Sequence, residues 1–257
     1  MSKILAITNQ KGGVGKTTTG VNLAASLAAA KQRVLLVDLD PQGNATMGSG
    51  IDKRNLALTI YPVLLGDRTI TEVLQHSENG DYDVIPANRE LAGAEVEMVD
   101  IERREMRLKE ALATVEADYD FILIDCPPAL NLLTVNGLSA AHAVVIPMQC
   151  EYYALEGLSD LVQTIKKVRA HLNPGLQIEG LLRTMYDPRN TLAQQVSAQL
   201  EQHFGDKVYR TVIPRNVRLA EAPSYGLPAL KFDRNSKGAQ AYIDLAGEML
   251  GREAPAA

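Results

Sequence analysis

The segment KILAITNQKGGVGKTTTGVNLAASLAAA constrains the fold more than any other stretch of the chain. An apolar run stops at Thr8, glycines occupy positions 12, 13 and 15, and an alanine-rich helical pattern follows Lys16, Thr17 and Thr18. A strand that passes through glycines into a helix implies backbone conformations that side chains disfavour. Gly12, Gly13, Val14 and Gly15 let successive N–H groups curl around an anion, and the helix start adds unpaired donors and the positive end of its dipole. Lys16 then neutralises β- and γ-phosphate charge, the Thr17 hydroxyl suits a Mg²⁺ ligand, and Thr18 suits a donor to an α-phosphate. The loop departs from the common G-x-x-x-x-G-K-T pattern. Its first glycine position holds Gln10, and a second lysine, Lys11, directly precedes Gly12.

Beyond this loop, short apolar runs alternate with helical patterns. KILAITN, RVLLVDLD, YDVIPA, DFILIDCPP, AHAVVIPMQC and IEGLLRTMY read as strands, most of them apolar throughout, as in strands covered on both faces. TTTGVNLAASLAAAKQ, VEMVDIERREMRLKEALATVEA, LEGLSDLVQTIKKVRAHL and LAQQVSAQLEQHF read as helices. The alternation implies βαβ units, and so an α/β fold with a mostly parallel twisted sheet and helices on both faces. TVIPR reads as a last strand and NSKGAQAYIDLAGEMLG as a closing helix capped by Asn235 or Ser236. Residues 41–80 read as loop and short helix near a site. One domain is expected over residues 1–251, with 252–257 as a frayed tail.

Phosphoryl transfer needs a metal-holding carboxylate and a group that positions water. FILIDCPP places Asp125 at a strand end, the edge where α/β sheets bind ligands. VLLVDLDPQGNAT places Asp38 and Asp40 at another; period two puts both on one face if the strand persists that far.

Charge divides the chain of 257 residues, whose net is −5. From Glu72 to Asp120 there are 14 acidic and 5 basic residues, whereas Leu181 to Lys237 holds 9 basic and 5 acidic. The basic segment is the candidate for an anionic partner. Two cysteines exclude a disulfide framework and fit a reducing cytoplasm. No apolar run reaches the roughly 18 residues of a membrane span. MSKILAITNQ lacks a signal-peptide cleavage site. His76, His142, His171 and His203 lack metal-ligand spacing and read as structural or surface residues, and Tyr152 and Tyr153 as interface or core.

KGGVGKTTT, DLDPQGNAT, LIDCPP, PMQCEYYALEGL and IPRNVRLAEAPSYG together resemble the ParA family of chromosome- and plasmid-partitioning ATPases, its short Soj-like members above all. The resemblance implies the P-loop NTPase fold in its deviant Walker A form, and an ATPase that uses ATP and Mg²⁺ with slow intrinsic turnover. It implies that Lys11 reaches the phosphates of a second subunit, so that two ATP molecules lie between two copies. A side chain at Gly12 would obstruct that approach. Asp40 matches the residue that positions the attacking water, Asp38 and Asp125 match acidic positions around the Mg²⁺, and Pro214 and Asn216 match the adenine-contacting segment. The implied partners are a second copy when ATP is bound, non-specific double-stranded DNA and a ParB-type centromere-binding protein that stimulates hydrolysis and releases the dimer, without a membrane. The implied location is cytoplasmic and nucleoid-associated. The basic residues in the DNA-binding region of the family are Arg189, Arg218, Lys231, Arg234 and Lys237; Arg215 is set aside because Pro214 and Asn216 flank it.

Three other readings share the scaffold. An electron-transfer protein like the nitrogenase iron protein would need Cys126 and Cys150 facing a dimer axis. A MinD-like positioning ATPase on a membrane would need a basic amphipathic C-terminal helix, but AYIDLAGEMLGREAPAA carries Asp244, Glu248 and Glu253 against Arg252 alone. A metabolic ATP-dependent enzyme would need a second substrate pocket.

Overall fold

A computed structural model describes residues 2–253. The apolar runs form one eight-stranded sheet: β1 (Lys3–Ile7), β2 (Val34–Asp38), β3 (Gln75–Ser77), β4 (Tyr82–Ile85), β5 (Phe121–Asp125), β6 (Ala143–Gln149), β7 (Gln177–Tyr186) and β8 (Val208–Pro214). Their spatial order is β3-β4-β2-β5-β1-β6-β7-β8. Every pairing is parallel except β3 with β4, which places a short antiparallel strand on one edge. Alternate residues serve opposite faces. Ile4, Ala6, Leu35, Val37, Ile122 and Ile124 enter one core. Leu5, Ile7, Leu36, Phe121 and Leu123 enter the other. This is why the strands read as continuous apolar runs. On the second face, α1 (Lys16–Ala29) packs beside the helix Lys237–Glu253, joined by a buried hydroxyl contact of 3.0 Å between Thr19 and Tyr242.

The chain leaves β1 toward β2 on one side and later returns to β6 on the other, so the sheet order reverses at β1. Doubly wound sheets bind ligands outside the carboxyl ends of the strands at such a reversal. The glycine loop emerges there.

Two expectations need correction. The pattern over 96–117 does not form one helix. It breaks into helix Leu91–Glu97, single turns at Met98–Asp100 and Arg104–Met106, helix Arg107–Leu112 and a turn at Glu116–Asp118. Met98 and Leu108 both reach the core, and the chain turns between them through Arg103, whose φ of 55° is left-handed. Asn136 holds this turn, accepting from Leu108 N–H and donating to the Arg104 carbonyl. Tertiary packing therefore overrides helical periodicity. The second correction concerns the tail. Gly251, Arg252 and Glu253 continue the final helix, because Arg252 bonds Glu248 and the Val208 carbonyl and stacks 4.2 Å over the Tyr209 ring. Residues 254–257 of the expected tail lie outside the described residues. At the other end of this helix Ser236, not Asn235, is the cap, its hydroxyl accepting from Ala239 N–H at 3.2 Å. Among the described residues no helix is long and apolar enough to cross a membrane.

Candidate phosphate-loop site

The loop turns through Gly13 at φ 74° and Gly15 at φ 88°, conformations that favour glycine. A Cβ added at Gly12 would meet no atom of the chain within 4 Å, so packing inside one copy does not demand glycine there. Lys16 folds back over the loop, its ammonium donating to the Lys11 carbonyl at 3.1 Å, and only 8% of the residue is exposed. Burial pushes its amine below the usual lysine range, against the opposing pull of Asp125 and Asp40. A buried lysine folded over a glycine loop is a receptor for phosphate charge.

Asp38 and Asp125 end β2 and β5 and are register partners. Both are fully buried. Thr17 donates its hydroxyl to Asp125 Oδ2 at 2.7 Å, while Asp125 Oδ1 is buried without a hydrogen-bond partner. Burial, then the adjacent Asp38, raises the Asp125 carboxyl well above the ordinary range. Asp38 accepts from the Thr46 N–H at 2.8 Å, the Thr46 hydroxyl at 2.7 Å and the Asp40 N–H at 3.1 Å, yet burial still pushes it up to about 6. An orphaned carboxylate oxygen beside a threonine hydroxyl is a hard-oxygen donor set that fits Mg²⁺. Among the described residues no three His, Cys, Asp or Glu side chains could hold a metal by themselves. Mg²⁺ suits such a place because it keeps waters and takes phosphate oxygens as further ligands.

The condition placed on Asp40 is not met. β2 ends at Asp38, so strand alternation does not carry Asp40 onto its face. Asp40 instead begins a turn, accepting from the Gln42 N–H at 2.9 Å and the Gly43 N–H at 2.8 Å, and stays partly exposed at the rim. Lys11 also lies at the rim, its ammonium 2.5 Å from Glu151.

Pro214 and Asn216 line a cavity of about 210 Å³ with Gly15, Thr18, Thr184 and Met185. The cavity connects the expected adenine segment with the phosphate loop. The Asn216 side-chain oxygen caps the next helix through Arg218 N–H at 2.9 Å. A larger cavity, about 1140 Å³, opens among Glu179, Arg183, Glu201 and Arg252, residues that do not touch the loop, so volume alone does not mark the site.

Sequence reasoning missed three residues here. Thr184 is buried and donates to the Val14 carbonyl at 2.8 Å, tying β7 to the loop. Thr46 holds Asp38 and accepts from Ala87 N–H at 2.9 Å. Glu151 holds Lys11. Each meets its partner only through the fold; the one local signal was the position of Glu151 just after an apolar run.

The basic candidates differ in their surroundings. Arg189 pairs with Asp187 at 2.8 Å in the turn after β7. Arg218 pairs with Glu221 at 2.8 Å and Asp233 at 3.3 Å. Lys231, Arg234 and Lys237 are exposed and form no ion pair among the described residues. The Arg218–Asp233 contact brings Arg218 to the segment that carries these three. Cys126 and Cys150 are buried, and burial pushes both thiols up, Cys150 to about 11. That is the environment of inert core cysteines. Tyr152 and Tyr153 are 74% and 69% exposed, which excludes a core position.

A strand, glycine loop and helix at the reversal point, with a buried lysine and paired strand-end aspartates, define a P-loop α/β protein. Residues 2–178 match a family model described as an AAA domain. The chain is 56% identical over 249 residues to the sporulation initiation inhibitor protein Soj of Bacillus subtilis, covering 97% of this chain and 98% of that one. It is 52% identical over 253 residues to the chromosome partitioning protein ParA of Caulobacter vibrioides, covering 98% and 95%. The structure of cobyrinic acid a,c-diamide synthase from Mycobacterium smegmatis, solved with an ATP analogue and magnesium, matches with a TM-score of 0.85 at 40% identity, covering 97% and 95%. The chain belongs to the ParA/Soj family of chromosome-partitioning ATPases.

Proposed function

We propose that this protein is an ATP-dependent DNA-partitioning ATPase of the cytoplasm that closes into a dimer around ATP, binds DNA without sequence preference in that form, and leaves DNA when a ParB-type partner stimulates hydrolysis. The observation that carries the reading is the buried Lys16 beside the Thr17–Asp125 pair with its unpartnered carboxylate oxygen. The ATP analogue and magnesium bound by the M. smegmatis relative support the same ligands here.

Lys16 and the loop N–H groups hold the phosphates, Thr18 donates to the α-phosphate, and Pro214 and Asn216 bound the adenine side. Thr17, with Asp125 and Asp38 behind it, would hold Mg²⁺, which supplies charge neutralisation of the transferring phosphoryl group. Asp40 at the rim orients the attacking water. That arrangement favours slow unstimulated turnover. Lys11, from the partner copy, completes the phosphate environment only on closure, which makes assembly conditional on ATP.

The test is size-exclusion chromatography with light scattering in ATP and Mg²⁺, followed by anisotropy titrations on unrelated duplexes. Lys16→Ala is expected to stay folded and lose ATP binding. Asp40→Ala is expected to bind ATP and remain dimeric with hydrolysis reduced at least tenfold, roughly the loss of one positioning contribution. A wild-type protein that stays monomeric with ATP, or hydrolysis unchanged in Asp40→Ala, would refute the reading.

A further inference from the structure

We propose that Glu151 is a positioning residue for Lys11: in the free subunit it holds the lysine in cis, and closure of two copies requires Lys11 to exchange this carboxylate for a phosphate. The inference rests on the dimeric reading above and adds the element that restrains it. Lys11 Nζ lies 2.5 Å from Glu151 Oε2, with the two side chains 48% and 51% exposed. The contact is prepared by the backbone on both sides. Lys11 N–H donates to Asn9 Oδ1 at 3.0 Å, and the buried Asn9 donates in turn to the Pro147 carbonyl at 2.8 Å. Pro147 belongs to β6, the neighbour of β1, and Glu151 follows two residues after that strand ends, its carbonyl accepting from Ala154 N–H at 3.0 Å. The ends of two adjacent strands thus bring the lysine and the carboxylate together. Tyr152 and Tyr153, edge to face at 5.0 Å, follow Glu151 and are mostly exposed in the single copy, so the pair lies on a surface with apolar area still to cover.

The consequence is quantitative. A half-exposed ion pair shifts an equilibrium by roughly two- to fivefold. Two copies close together, so two pairs must open, and the dimer is held back by roughly four- to twenty-five-fold. Because the pair is exposed, salt weakens the restraint.

Two measurements on the full-length chain test this. The first is pulsed acylation of Lys11 in nucleotide-free protein, read by mass spectrometry; Glu151→Gln is expected to raise labelling of Lys11 and leave other lysines unchanged. The second is the dimer dissociation constant in ATP and Mg²⁺ at several salt concentrations. Glu151→Gln is expected to tighten the dimer roughly four- to twenty-five-fold at low salt, with the difference from wild type shrinking as salt rises. Glu156→Gln removes an equal charge from the same segment without touching Lys11 and is expected to change neither readout. Unchanged Lys11 labelling in Glu151→Gln would overturn the cis pair while leaving the dimeric reading intact. Raised labelling with a weakened dimer would show that Glu151 works across the interface instead, and overturn the restraint. Raised labelling with a wild type that never dimerises would refute the dimeric reading itself, and the restraint with it.

Discussion

Burial costs Asp38 more than its three hydrogen bonds recover, and the sign of that imbalance has a measurable outcome. Its carboxyl titrates at about 6 in the folded chain, against about 3.9 in an unfolded one. An acid whose folded value is raised binds its proton more tightly when folded. Its contribution to stability is therefore present below about pH 4 and lost as pH climbs through 6, a change of up to about 3 kcal/mol. Asp125 is shifted in the same direction by the same cause. Without nucleotide, the thermal midpoint should fall between pH 4.5 and pH 7, and Asp38→Asn should flatten that fall. ATP with Mg²⁺ should stabilise wild type more above pH 6 than below it, because the cation then meets ionised carboxylates. Differential scanning calorimetry across this range checks both; a pH slope identical in wild type and Asp38→Asn would show that burial does not shift this carboxyl.

At the scale of elements, the phosphate loop is held by a strand that contributes nothing to its motif. β7 delivers the Thr184 hydroxyl to the Val14 carbonyl, and the next residue, Met185, adopts a left-handed φ of 49° where the β7–β8 register slips. The irregularity lies where the strand passes both the loop and the cavity beside Pro214 and Asn216. Thr184→Val keeps the shape of the side chain but leaves the Val14 carbonyl buried and unpaired, at a cost of about 1–3 kcal/mol. Part of that cost should appear as lost ATP affinity, on the order of tenfold, because the loop relaxes away from its binding geometry. Thr184→Ser should restore binding. Titration of a fluorescent ATP analogue into both variants separates loop positioning from general destabilisation: a folded Thr184→Val with wild-type affinity would show that the tether does not set the loop.

Over the whole molecule, charge is segregated along the chain, and the basic segment is itself uneven. On the proposed DNA-binding reading, Arg189 and Arg218 would each give up a carboxylate before meeting a phosphate, whereas Lys231, Arg234 and Lys237 would not. Holding Asp187 down to about 2, Arg189 is tied to a partner that stays ionised at any physiological pH. Neutralising Lys231, Arg234 and Lys237 together should therefore weaken DNA binding more than Arg189→Ala alone, while ATP-driven dimerisation survives. Each lost phosphate contact should also lower the salt slope by about 0.9, counted twice in a dimer. Anisotropy at several salt concentrations reads both quantities; an unchanged slope in the triple variant would move the DNA surface elsewhere.

What lay within the sequence was whatever depends on neighbours along the chain. The apolar runs, the glycine loop with Lys16 and Thr17, and the strand-end Asp125 are set by local backbone preference and by periodicity, and they stand in the structure where the sequence places them, whereas the cap left open between Asn235 and Ser236 falls to Ser236. The family was legible for the same reason, since its motifs are contiguous. The broken segment after Val96 was not, because its apolar spacing suits a helix and only the core positions of Met98 and Leu108 force the turn at Arg103. Nor was strand β3, whose three residues gain their hydrogen bonds from β4. The contacts of Thr184 with Val14, Thr46 with Asp38 and Glu151 with Lys11 join residues from 8 to 170 positions apart. Strand order and register decide which of these side chains meet, and neither is a property of any single stretch of chain.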